Sequence, residues 1–122
     1  MNASLTRIKK MGERTMADSV KVYGLDEMKF ESLSKNHLTL VDFWAPWCGP
    51  CRMMAPVVEE LAGEMTDVVF AKVNIDENME LAVGLSISSI PTLVLFKDGT
   101  EVERVIGVQP KKSLQAMIER NR

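Results

Sequence analysis

The sequence contains little of what a metal site, a membrane protein or a nucleic-acid-binding protein needs. It has two cysteines and one histidine, His37, fewer than the four Cys or His ligands of a structural zinc site, although two chains could share a zinc ion. The longest apolar runs have the length of a strand and are too short to cross a bilayer. The 15 basic and 17 acidic residues are spread along the chain and leave a net charge of −2. This balance favours neither a nucleic-acid nor a membrane partner.

The N-terminal segment differs in character from the rest of the chain. It is basic but has no apolar run behind the basic residues, so it does not match a secretory signal. We predict an extension over residues 1–19, flexible or a short helix, followed by one domain over residues 20–122, with Met16 as an alternative start. Having only two cysteines fits a reducing compartment, so we expect a cytoplasmic protein.

Hydrophobic periodicity predicts strands and helices in the order β-α-β-α-β-α-β-β-α, an α/β fold. Leu38–Trp44 is apolar enough to be buried on both faces, which is typical of a central parallel strand. The other predicted elements are a strand near Val20 to Tyr23, a helix capped by Asp26, a helix reaching Met65 and kinked at Pro56, a strand from Val68 to Val73, a short helix after Asn78, two strands joined by Asp98-Gly99, and a helix following Pro110.

The two cysteines stand where a predicted strand passes into a helix, in the sequence Cys48-Gly49-Pro50-Cys51. A helix N-terminus carries free N–H groups and a positive dipole end, which stabilise a thiolate at Cys48 and lower its pKa below the usual value of about 8.5. Gly49 permits a sharp bend, and Pro50 is suited to a first helical turn. Cys51 should lie one turn later, beneath Cys48 and more buried, within disulfide range.

This spacing favours reversible disulfide exchange, with Cys48 as the attacking thiolate and Cys51 resolving the mixed disulfide. A purely structural disulfide is the alternative. It would close a very short loop and would therefore constrain little of the unfolded chain.

The motifs Val41-Asp42-Phe43-Trp44-Ala45 and Trp47-Cys48-Gly49-Pro50-Cys51 resemble the thioredoxin family. The resemblance extends over residues 20–122 through Lys72-Val73-Asn74-Ile75-Asp76, Ile90-Pro91-Thr92 and Val105-Ile106-Gly107. It implies a five-stranded mixed sheet of order 1-3-2-4-5, with the last two strands antiparallel and helices on both faces. It also implies a cis Ile90-Pro91 bond whose loop lies beside the cysteines and binds an extended substrate through the backbone.

The resemblance also assigns roles to further residues. Asp42, an acid in a buried strand, would have a raised pKa and exchange a proton with Cys51, tuned by Lys72; a simple buried ion pair is the alternative. An apolar rim around Cys48 would bind the substrate. Its members would be Trp47, Gly84, Ile87, Ser89, Ile90, Val105 and Gly107.

The resemblance implies a general protein-disulfide reductase. It also implies that a thioredoxin reductase reduces the Cys48–Cys51 disulfide back to the dithiol. We expect a monomer that needs no cofactor beyond its own cysteines and no metal, and whose substrates are disulfide-containing proteins. Gly49-Pro50 between the cysteines argues for a reductant, and an oxidant or isomerase is the first rival. A binding module that uses the fold as a scaffold is the second.

Overall fold

A mixed five-stranded sheet is the framework of the protein. The computed structural model describes residues 23–24 and 37–122. The strands are β1 (Tyr23–Gly24), β2 (Leu38–Trp44), β3 (Val69–Asn74), β4 (Thr92–Lys97) and β5 (Thr100–Ile106). The helices of the described part are α1 (Gly49–Glu64), α2 (Met79–Gly84) and α3 (Lys111–Arg120).

The strand order is β1-β3-β2-β4-β5, as the family resemblance implies. β1 and β2 pair with β3 in parallel, whereas β4 is antiparallel to both β2 and β5. The central strand β2 is therefore parallel to one neighbour only, which corrects the prediction of a parallel strand. Burial on both faces is set by the covering layers and does not depend on the direction of the neighbouring strand.

The sheet separates two apolar clusters, since successive side chains of a strand point to opposite faces. Leu38 and Leu40 of β2 pack on the face covered by α1 and α3, in a cluster that also includes Leu61 and Leu114. Val41 and Phe43 point to the other face, where partly buried residues of and after α2 complete the packing, among them Leu81 and Ile87. Both clusters hold fully buried side chains, so β2 is buried as its sequence predicts.

The predicted turn residues form the β4–β5 connection. Asp98 and Gly99 have φ values of 53° and 87°, the left-handed pair that a two-residue hairpin of type I′ requires. A β-bulge follows, because Leu95 pairs with Glu103 whereas Phe96 pairs with Glu101. The bulge decides which side chains of β5 face each layer of the protein.

Other predicted elements agree to within a few residues. α1 contains Pro56, and α3 starts after Pro110, which is its N-cap and precedes the first turn. The predicted extension over 1–19 and the helix at Asp26 lie outside the described residues. Within residues 23–24 and 37–122, no helix combines the length and the apolar character needed to cross a membrane.

Candidate functional site

The cysteines lie at the N-terminus of α1, where β2 ends and the chain turns through Ala45. The Cys48 backbone N–H donates to the Ala45 carbonyl, 3.1 Å away, and this bond closes the turn. Cys48 is the N-cap, and its Sγ accepts a hydrogen bond from the Cys51 backbone N–H at 3.2 Å. Pro50 occupies the first turn, where a missing N–H removes no intrahelical bond. The sulfur of Cys48 thus occupies the place of a capping oxygen, at the positive end of a 16-residue helix.

Cys48 and Cys51 form a disulfide with their Cα atoms 5.3 Å apart. Both residues are buried, with 5% of the surface of Cys48 and 4% of that of Cys51 exposed, so Cys51 is the more buried of the two by a small margin. They form a small apolar cluster with Ala45, against which Trp44, Ile75 and Ile90 pack. At Gly49 an added Cβ would meet no atom within 4 Å, so the turn between the cysteines faces open space.

The loop before β4 lies directly beside the disulfide. Ile90-Pro91 is a cis peptide bond, as the resemblance implies, and the Ile90 carbonyl oxygen lies 3.9 Å from the Cys48 Sγ. The Pro91 carbonyl accepts a bond from the Gly107 N–H at 2.8 Å, and the Thr92 hydroxyl donates to the Ser89 carbonyl at 2.5 Å. Backbone groups of this loop are therefore presented next to the reactive sulfurs.

Asp42 is an acid buried in the central strand, with 1% of its surface exposed. Its Oδ1 has no hydrogen-bond partner in the part of the chain that the structure describes. Burial raises the pKa of Asp42 to about 6, and the positive charge of Lys72 opposes that rise. Lys72 is the direct neighbour of Asp42 across the β2–β3 pairing. A carboxyl group with this pKa exchanges protons near neutral pH, as the predicted role requires.

The Lys72 ammonium lies over the Trp44 ring, 4.5 Å from the ring centroid. This is a cation–π contact on a side chain that also packs against the cysteine cluster. The family resemblance implies only that Lys72 tunes Asp42, and the aromatic partner is a finding of the structure. Trp44 itself packs beside the cysteines.

Trp47 is exposed over 65% of its surface, directly before Cys48. Its Nε1–H donates to the Asp76 carboxylate at 2.9 Å, which fixes the orientation of the ring at the surface. Asp76 and Ile75 are site residues that sequence reasoning did not assign. Both belong to the motif Lys72-Val73-Asn74-Ile75-Asp76, which spans the end of β3 and carries part of the family resemblance, and that motif was the available signal.

The predicted rim is only partly assembled around the cysteines. Ile90 packs against them, Trp47 directly precedes Cys48 in the chain, and Gly107 donates to the carbonyl of Pro91, the residue after Ile90. Val105 instead packs into the cluster beneath α1 and α3, and Ile87 packs into the cluster on the α2 face. Gly84 is exposed at the end of α2. The large exposed apolar side chains near Gly107 are Ile106 and Val108, because strand alternation turns Ile106 outward where Val105 points inward.

The residues described form no group of three or more His, Cys, Asp or Glu that could hold a metal ion. The groups that the structure gathers at the site are two sulfurs, the surrounding backbone and, in the strand that leads to them, a buried carboxyl group. A helix-capped sulfur in disulfide contact with a second cysteine is an arrangement suited to thiol–disulfide exchange.

Comparisons with known proteins agree with this geometry. The family model described as Thioredoxin matches residues 15–120. A thioredoxin of Chlamydia pneumoniae is 51% identical over 92 residues, which are 75% of this chain and 90% of that protein. Among solved structures, a mutant thioredoxin from Halobacterium salinarum NRC-1 superposes with a TM-score of 0.80 at 38% identity, covering 90% of this chain and 96% of that one. The Fasciola hepatica thioredoxin gives a TM-score of 0.77 at 43% identity, covering 83% and 100%.

Proposed function

The chain belongs to the thioredoxin family and is a protein thiol–disulfide oxidoreductase, and we propose that it acts as a general reductant of protein disulfides. The observation that carries the exchange chemistry is the capped sulfur of Cys48, and the reducing direction rests on Gly49-Pro50 between the cysteines. A hydrogen bond from the Cys51 N–H and the helix N-terminus stabilise a thiolate there, and a stable thiolate is the attacking form.

The exchange proceeds in two steps. The reduced Cys48 thiolate attacks one sulfur of a substrate disulfide, a mixed disulfide forms, and the other substrate sulfur leaves as a thiolate. The Cys51 thiolate then attacks the Cys48 Sγ, which forms the Cys48–Cys51 disulfide and releases the second substrate sulfur. Two electrons have passed to the substrate, whose sulfurs take up two protons. The two sulfurs carry both electrons, so we propose no further cofactor.

Asp42 would act as the base for the second step. Cys51 is buried and must lose its proton before it attacks, and the Asp42 carboxylate can take that proton directly or through water. The pKa of about 6 leaves this carboxyl group mostly ionised at pH 7 and able to accept. Its unpaired Oδ1 supports this role over the alternative of a buried ion pair, in which Lys72 would satisfy that oxygen.

The backbone around Ile90 and Pro91 would hold the substrate. An extended segment that bonds to main-chain groups is recognised largely without regard to its side chains, which suits a reductant of many proteins. Trp47, Ile106 and Val108 add exposed apolar surface beside that backbone. Ser89 belongs to the same loop.

We further propose that a thioredoxin reductase restores the dithiol, and that the protein works as a monomer in the cytoplasm without a nucleic-acid partner. The absence of a strong net charge supports the last point. The role of a thioredoxin reductase can be tested by fractionating a lysate. The fraction that reduces the Cys48–Cys51 disulfide with NADPH, ferredoxin or a flavin as electron donor identifies the reductase.

Insulin reduction by wild type and Cys48→Ser, with dithiothreitol as the electron source, tests the function. We expect Cys48→Ser to lose the catalysed rate, because no other thiol occupies the capped position. Equal rates in both proteins would contradict the proposal. A reduction potential as high as that of a strong oxidase, near −120 mV, would contradict the reducing direction.

A further inference from the structure

The chain from Leu85 to Pro91, which we call the recognition segment, is tied to β5 at both ends. At its C-terminal end, the Gly107 N–H donates to the Pro91 carbonyl at 2.8 Å. At its N-terminal end, the Arg104 Nη2 donates to the Leu85 carbonyl at 2.8 Å. The two anchoring residues stand three positions apart, since Arg104 lies in β5 and Gly107 directly follows its last residue, Ile106. Along the chain, the Ile90 carbonyl beside Cys48 lies between the two anchored carbonyls of Leu85 and Pro91.

Arg104 is itself held in place by Glu101 from the same strand. Its Nε and Nη2 donate to the two oxygens of Glu101 at 2.6 and 2.7 Å, a bidentate fork. Both side chains are less than a third exposed, at 27% and 32%, so water screens this pair only in part. The hydrogen bonds from Arg104 also lower the pKa of Glu101 and keep it ionised. A guanidinium fixed in this way has few other positions available to it.

The part of the segment that Arg104 contacts needs such support. Ser86 has a φ of 58°, in the left-handed region that residues with a side chain rarely adopt. The Arg104 Nη1 lies 3.5 Å from the Ser86 carbonyl, next to the stronger bond to Leu85. Arg104 thus bonds to carbonyls at the end of α2, where a positive charge is favourable.

We propose that Arg104, oriented by Glu101, is a positioning residue that fixes the recognition segment and with it the backbone that protein substrates bind. The inference rests on the proposed role of Ile90-Pro91 in holding an extended substrate. Arg104 touches neither the sulfurs nor the substrate. It acts by bonding the start of the recognition segment to β5, while the Gly107 N–H bonds the end of the segment.

The test compares a protein disulfide with a small one. Pre-reduced protein is mixed with insulin or with 5,5′-dithiobis(2-nitrobenzoate), and oxidation of Cys48 and Cys51 is followed by chemical quench and mass spectrometry. We expect Arg104→Met to react with insulin about fivefold more slowly and with the small reagent within twofold of wild type, because only insulin needs the backbone of the recognition segment. Arg104→Lys should resemble Arg104→Met, since an ammonium cannot form the fork.

Arg120→Met is the matched control. Arg120 also forms a two-pronged pair with a glutamate of β5, Glu103, but it links β5 to α3, away from the recognition segment. We expect this variant to keep the wild-type preference between the two reagents. Equal insulin rates for Arg104→Met, Arg104→Lys and wild type, or an equal loss in Arg120→Met, would overturn the inference.

The variant Pro91→Ala distinguishes a wrong positioning role for Arg104 from a wrong assignment of the substrate contact to the recognition segment. If Pro91→Ala slows insulin and Arg104→Met does not, the positioning role alone is wrong. If neither variant changes the insulin rate, the backbone of the recognition segment is not the substrate contact, and both statements fall. Thermal unfolding of each variant tests folding, and Arg104→Lys serves if Arg104→Met does not fold.

Discussion

Replacing Asp42 by asparagine should stabilise the oxidised protein at pH 8 and leave its stability unchanged near pH 4. The carboxyl group is buried with an unpaired oxygen, so its ionised form is unfavourable in the folded state. Asparagine has nearly the same shape and no charge, and it resembles the protonated acid. The comparison therefore isolates the cost of ionisation.

The magnitude follows from the pKa. A rise from 3.8 to about 6 corresponds to roughly 3 kcal/mol, at about 1.4 kcal/mol for each pH unit. The folded state holds this proton more tightly than the unfolded chain, so ionisation opposes folding. The cost is fully present above about pH 7, decreases as the pH falls through 6, and is absent below about pH 4.

Urea unfolding of the two oxidised proteins from pH 4 to pH 8 measures the difference. We expect Asp42→Asn to gain up to about 3 kcal/mol at pH 8 and almost nothing at pH 4. Asp98 is an exposed acid, and Asp98→Asn should change the free energy of unfolding by less than about 0.5 kcal/mol at pH 8. A gain that does not depend on pH, or a loss of stability at pH 8, would refute the reasoning.

Three further predictions concern the site and the core. Lys72→Met removes the positive charge that lowers the pKa of Asp42, so that pKa should lie above 6. Carbon-13 NMR of the Asp42 carboxyl group measures it, and an unchanged pKa would refute the interaction between Lys72 and Asp42. Met54→Ala should lower the free energy of unfolding by about 2–5 kcal/mol in urea, because Met54 is fully buried, whereas exposed Met53→Ala should cost less than about 0.5 kcal/mol. Gly99→Ala should cost roughly 1 kcal/mol or more in the same assay, since Gly99 has a φ of 87°, and an unchanged stability would contradict the assigned turn.

Local sequence signals were sufficient to predict those strands, turns and helix starts whose own residues form a strong pattern. The apolar run over Leu38–Trp44 predicts β2 with both bounds as observed, and Asp98-Gly99 predicts the hairpin turn. The start of α1 follows from the cysteine motif and Pro50. Each of these signals lies within a few residues of the structure it specifies.

Contacts between distant residues were not predictable from such signals. The side chain at 105 faces the core and the one at 106 faces outward because of the pairing with β4 beyond the bulge, and the sequence of β5 does not reveal where that bulge falls. The position of Lys72 over Trp44 likewise depends on the pairing of two strands and on side-chain rotamers. Arg104 reads in the sequence as one more surface charge, and only the fold brings it to the end of α2.

The cysteines and Ala45 form a cluster of their own at the end of the central strand, separate from the two large clusters that hold the sheet between its helices. Apart from Ile75, which packs against both, the apolar packing of the sheet and the apolar surroundings of the sulfurs are provided by different side chains. An engineer who varies Gly49 and Pro50 to shift the midpoint potential can therefore do so on a scaffold whose robustness is determined elsewhere.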